Sequence, residues 1–94
     1  MSGMITISPR VPVAEYERMA RARIERDGVA PFGAMTADGR QRAHLRRLAE
    51  RLRADPGLRV SFVPRTDGVT QLAAMPAGAR HAGWFGDAHG APED

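Results

Sequence analysis

The side chains best equipped for chemistry in this sequence are arginines. Arg40, Arg42, Arg46, Arg47, Arg51 and Arg53 crowd into Asp38–Ala54 (DGRQRAHLRRLAERLRA), where Glu50 is the one acid between them. A guanidinium is permanently charged and presents its donors in a fork that fits phosphate and carboxylate oxygens. Six of them on one segment point to an anionic partner, either a nucleic-acid backbone or an acidic protein surface. His44 lies among them with no partner visible in the sequence, so it reads as a surface residue. Trp84-Phe85, set between Gly83 and Gly86, is a second feature. Such an aromatic pair suits an anchor for a partner, or it folds back over the chain's own core. His81, Asp87 and His89 carry metal-ligating atoms at a spacing that matches no standard site, so neither a metal nor a cofactor is expected. There is no cysteine nucleophile, no GxSxG, no phosphate-binding glycine loop and no close carboxylate pair, and a non-enzymatic protein is the expectation.

These residues must be positioned by a small fold. Ninety-four residues make one domain, with a thin margin of stability at that size. A homodimer that buries more surface would help. The absence of cysteine excludes disulfides and thiolate metal sites. No apolar run approaches the ~20 residues of a membrane span, and Met1 to Arg10 lacks an apolar stretch of signal-peptide length. The expectation is a cytoplasmic protein without membrane contact.

All 14 basic residues are arginine, and the formal net charge is +3. The pI of about 10.9 owes much to arginine's high pKa, which adds nothing to the charge at pH 7. The distribution is more informative. Residues 31–64 hold seven arginines against three acids, a balance of +4, whereas residues 1–30 balance at +1 and residues 65–94 at −2.

The elements follow from periodicity and punctuation. Met4-Ile5-Thr6-Ile7-Ser8 alternates as a strand does. Pro12 fits the first position of a helix that runs to Asp27 and stops at Gly28, with Val13, Tyr16, Ala20 and Ile24 on its apolar face and Glu17 placed to pair with Arg21. Val29 to Ala37 is interrupted by Pro31 and Gly33 and reads as a packed connector, with Phe32 and Met35 tucked under the helices. Asp38 caps a second helix, and Gln41 completes a capping box. Leu45, Leu48, Ala49 and Leu52 form its apolar stripe at i, i+3, i+4, i+7. Arg42, Arg46 and Arg53 line one flank of the stripe, and Arg40, Arg47 and Arg51 the other. Asp55-Pro56-Gly57 ends the helix.

Leu58 to Val63 and Val69 to Met75 read as a hairpin around Asp67-Gly68. A two-residue loop would ask Pro64 for a ladder hydrogen bond that it cannot donate. A loop of three or four residues is therefore expected; three turn Leu72 toward the core, whereas two or four turn Ala73 and Met75 there, and the larger Leu72 favours three. The predicted fold is α+β, in the order β-α-α-β-β. It has a three-stranded antiparallel or mixed sheet with two helices on one face, spanning residues 1–76, followed by a flexible Gly/Ala/Pro-rich tail over residues 77–94.

The stretch Arg10 to Met19 (RVPVAEYERM), preceded by an alternating strand, resembles the start of a ribbon-helix-helix DNA-binding domain. That resemblance implies a strand that reads the major groove and a second helix that completes an intertwined dimer. It covers roughly the first quarter of the chain. Pro31, Gly33 and Gly39 stand where the family's second helix should begin, and the hairpin has no counterpart, so the chain is not assigned to the family. The order of a helix followed by a hairpin wing loosely resembles a winged helix, with one helix too few. The predicted element order is also similar to that of small ribonucleolytic toxins. That resemblance would make Tyr16, His44, Arg65 and Arg80 a catalytic set.

The function expected is that of a small accessory or regulatory protein that binds nucleic acid through Arg40, Arg42, Arg46, Arg47, Arg51 and Arg53. The alternative is a protein-interaction module, such as an inhibitor, adaptor or assembly subunit, that uses the same arginines with Trp84 and Phe85.

Overall fold

Two helices end where their terminal residues dictate. The first, α1 (Val13–Asp27), follows Pro12, which sits at the N-cap in extended conformation rather than inside the helix. It stops at Gly28, whose φ of 85° places it in the left-handed region that glycine adopts without strain. The second, α2 (Gly39–Arg53), starts at Asp38, whose Oδ1 accepts from the Arg40 and Gln41 amides at 3.0 and 3.1 Å. Gln41 does not close the expected capping box. Its Oε1 instead accepts from the Met35 amide at 2.7 Å, while the Asp38 amide donates to the Met35 carbonyl.

The computed structural model describes residues 3–63 and 65–79. With β1 (Ile5–Thr6), β2 (Ala30–Met35), β3 (Leu58–Val63) and β4 (Val69–Pro76), the order is β-α-β-α-β-β. The fold is α+β, and its sheet is four-stranded and mixed, in the order β1-β2-β4-β3. β1 runs parallel to β2, and β4 is antiparallel to both β2 and β3. No helix among the described residues is long and apolar enough to cross a membrane.

The expectation of three strands is corrected by residues 30–35. They form an interior strand, not a connector, and the ribbon-helix-helix resemblance ends there. Pro31 and Gly33 are accommodated for separate reasons. The Ile7 amide donates to the Gly33 carbonyl, so the backbone groups of residues 31, 33 and 35 face the β1 side of β2. In a regular parallel ladder, residue 31 would donate to the Gly3 carbonyl. Pro31 has no N–H to give, and that carbonyl accepts from Arg23 Nη2 at 2.6 Å instead. Gly33 is small because Met4 lies against it: a Cβ there would stand 2.5 Å from the Met4 sulfur.

The main core fills the space between the helices and one sheet face. Leu45, Leu48, Ala49 and Leu52 of α2 pack with Tyr16 and Ala20 of α1, and with Phe32, Val60, Leu72 and Ala74 of the sheet. Both helices therefore cover the same face, as expected. The hairpin has the expected register, with Phe62 opposite Leu72 and Val60 opposite Ala74. Among the described residues its ladder runs as far as Val63 opposite Gln71, wider than a three-residue loop, while Val69 and Thr70 pair with β2 on the other edge of β4. Ala73 and Met75 are buried too, in a second cluster on the opposite face with Val29 and Val63. β4 is thus covered on both sides, which removes the alternation that a one-sided strand would show.

Candidate functional site

The six arginines of α2 divide into two groups once the leucine stripe is fixed to the sheet. Arg51 is held by α1: its Nε and Nη2 lie 3.0 and 2.9 Å from Glu17 Oε1. Glu17 also takes Arg21, and Arg21 bonds Asp55 beyond the end of α2 at 2.7 Å. Arg53 turns the other way. Its guanidinium sits 5.8 Å from the Phe62 ring centroid, and its Nη2 donates to the Val60 carbonyl of the edge strand at 3.3 Å. These two arginines close the helix onto its neighbours.

The remaining four behave differently. Arg40, Arg46 and Arg47 are exposed. Arg42 is half-buried, and its Nε is buried without a hydrogen-bond partner. None of the four forms an ion pair with another described residue. Arg10 is also exposed and unpaired among the described residues. It precedes Val11, whose carbonyl accepts from His44 Nε2 at 2.6 Å. Arg40 and Arg47 stand one turn to either side of His44 on the helix, so the His44 hydrogen bond brings the Arg10 loop to the same part of the surface.

The arginines of α1 are spent internally. Arg18 pairs with Glu15, Arg21 with Glu17 and Asp55, and Arg23 and Arg26 with Asp27. The fold therefore neutralises one helix and leaves the other positive along its solvent side. Trp84 and Phe85, the other residues expected to bind a partner, lie outside the described residues, as does the tail beyond Ala79.

His44 is not the surface residue that the sequence suggested. It is 7% exposed and meets Tyr16 edge to face, with ring centroids 6.1 Å apart. A carbonyl only accepts, so Nε2 carries the hydrogen shared with Val11. Tyr16 completes the clamp by accepting from the Ser8 amide at 2.7 Å. Together they fix the loop between β1 and α1. His44→Ala leaves the Val11 carbonyl without its partner, and we expect a loss of about 1–3 kcal/mol in chemical unfolding.

The set Tyr16, His44, Arg65 and Arg80 is brought together only in its first two members. Arg65 bonds Gln71 at 2.7 Å on the far side of the sheet and pairs with Asp67. Arg80 lies outside the described residues. No group of three histidine, aspartate or glutamate side chains that could hold a metal forms among the described residues; His81, Asp87 and His89 are not among them.

The ion-pair chain has a pH signature. The hydrogen bond from Arg21, then that from the Gly57 amide, holds the Asp55 carboxyl below the ordinary carboxylate range. Arg65 does the same for Asp67. A carboxyl lowered in the folded state contributes stability above its unfolded pKa of about 3.9 and loses it as pH falls through the folded value. Asp55→Asn is therefore expected to melt below the parent at pH 7, with the gap closing below about pH 4. The pair is exposed, so the effect is small.

Compared with protein-family models, curated proteins and solved structures, the chain matches none.

Proposed function

We propose that the protein is a non-enzymatic accessory or regulatory factor that binds nucleic acid through the outer side of α2. The observation that carries this reading is the segregation of charge. The four arginines of α1 are all engaged by acids. Arg10, Arg40, Arg46 and Arg47 are exposed with no acid against them among the described residues. A line of unneutralised guanidinium groups suits a phosphate backbone, where binding gains from released counterions. Arg42 belongs to the same surface. Arg51 and Arg53 contribute field more than contact, because their donors are already used.

Binding of this kind carries no sequence preference of its own. Such a protein would act in the cytoplasm beside nucleic acid, and a homodimer would double the charged surface. The test is a titration with duplex DNA and duplex RNA at ~50 mM salt and above, with the solution mass measured in parallel. Affinity that falls steeply with salt supports the reading. Absence of binding to both duplexes overturns it, and leaves an acidic protein surface as the partner suited to the same guanidinium groups.

A further inference from the structure

β3 is an outer strand of the sheet, and its pairing with β4 fixes where its backbone groups point. The Ala77 amide donates to the Gly57 carbonyl at 2.9 Å, and the register continues with Leu58 opposite Pro76, Val60 opposite Ala74 and Phe62 opposite Leu72. Bonded and unbonded pairs alternate along an antiparallel ladder. Residues 57, 59, 61 and 63 therefore turn their backbone groups to β4, whereas Leu58, Val60 and Phe62 turn theirs outward. The order β1-β2-β4-β3 puts no described strand on that side.

Local structure closes only part of this edge. The Leu58 amide donates to the Asp55 carbonyl at 3.0 Å, and the Val60 carbonyl accepts from Arg53 Nη2 at 3.3 Å. Among the described residues nothing bonds the Val60 amide or either backbone group of Phe62. The Phe62 ring is 37% exposed, although it stands on the helix side of the sheet, and Arg53 lies against it. An open edge beside an exposed aromatic ring is a template for another extended chain. We propose that the outer edge of β3, from Leu58 to Phe62, takes an extended acidic segment of a partner protein as an added strand.

Charge selects that occupant. Arg53 is held by a carbonyl and a ring, with no carboxylate against it among the described residues. It can therefore pass to a carboxylate of the added strand and leave the Val60 carbonyl for a ladder bond. The charge-assisted bond gained is stronger than the neutral-acceptor bond given up. Arg42 and Arg46 stand on the same flank of α2 as Arg53, so the field along the edge is positive. A second copy fits less well: pairing edge to edge about Val60 would bring two Arg53 guanidinium groups together, and like charges oppose that approach. A nucleic-acid duplex has no peptide groups to enter a ladder, so this edge is a site apart from the outer arginines Arg40 and Arg47.

The test uses the full-length protein and capped octapeptides. The probe alternates threonine and glutamate; one control alternates threonine and lysine, and a second is the probe N-methylated throughout. Saturable binding of the probe is expected, with hydrogen exchange of the Val60 and Phe62 amides slowed by about tenfold or more. The lysine peptide should bind about tenfold more weakly or worse, and N-methylation, which removes the ladder donors, should abolish binding. Arg53→Gln, a change at an exposed side chain, should lower affinity for the probe several-fold while keeping that for a threonine–glutamine peptide. No binding of the probe at millimolar concentration overturns the proposal. Equal binding of the N-methylated form also overturns it, by assigning the attraction to charge alone. Val60 and Phe62 amides already protected in the free protein, together with a mass of two copies, overturn it by assigning the edge to a second molecule.

Discussion

Replacing Phe32 by alanine is expected to lower the unfolding free energy by about 3–5 kcal/mol, read from urea denaturation at neutral pH. Phe32 is fully buried. It stands opposite Ile5 on one side and Leu72 on the other, and it meets the Tyr16 ring edge to face at 6.0 Å. The cavity left by its ring would be walled by two strands and both helices, none of which can close without breaking ladder bonds. A small domain has about 5–15 kcal/mol of stability in all, so the substitution removes a large share of it and should lower the urea midpoint markedly. Met35 ends the same strand on the opposite face and is 52% exposed. Met35→Ala should stay within about 0.5 kcal/mol of the parent. Equal effects of the two substitutions would mean that β2 is a dispensable connector.

The second large effect concerns binding. Arg40→Gln, Arg46→Gln and Arg47→Gln combined should weaken binding to every duplex alike and reduce the slope of log K against log salt by about 3. Stability should hardly change, because these side chains are exposed and unpaired among the described residues. The matched control is Arg18→Gln with Arg26→Gln, which removes arginines already committed to Glu15 and Asp27. That control should leave the salt slope where it was. A loss of affinity as large as that of the triple variant would show that net charge, and not the outer side of α2, governs binding.

The ends of α2 and of the hairpin strands were legible because they depend on neighbours in sequence. Asp38 sits within hydrogen-bond reach of the amides it caps, and Asp55-Pro56-Gly57 stops the helix locally. Pro64, with no N–H to donate, argued against a two-residue loop, and the size of Leu72 chose the register parity. β2 was not legible. Pro31 and Gly33 break a strand only if their missing groups are needed, and that depends on where Gly3, Arg23 and Met4 lie.

The same limit applies to the site. Nothing local distinguishes Arg51 from Arg47, yet Arg51 is bound to Glu17 across 34 positions of sequence. Arg21 and Asp55 are separated by the same distance along the chain. His44 did carry a signal in its spacing: it lies four residues before Leu48 and so at the margin of the apolar stripe. The surrounding arginines obscured it, because Arg40 and Arg47 stand one turn to either side of it on the same side of the helix.

The position of β4 governs the order in which the molecule can be assembled. Among the described residues it is the last strand in the chain, and it stands third in the sheet, between β2 and β3. Until residue 76 has been added, the nascent chain holds both helices and three strands, but β2 and β3 face each other across an empty lane. Their inner edges are unpaired, and Leu45, Leu48 and Leu52 lack half of their floor. Native pairing between β2 and β4 joins distant parts of the chain, such as Ala30 with Ala74, and contacts of that kind slow folding. The β2–β4 and β3–β4 ladders therefore form only once β4 is present, and a product cut short before β4 would present open strand edges of the kind that recruit other chains.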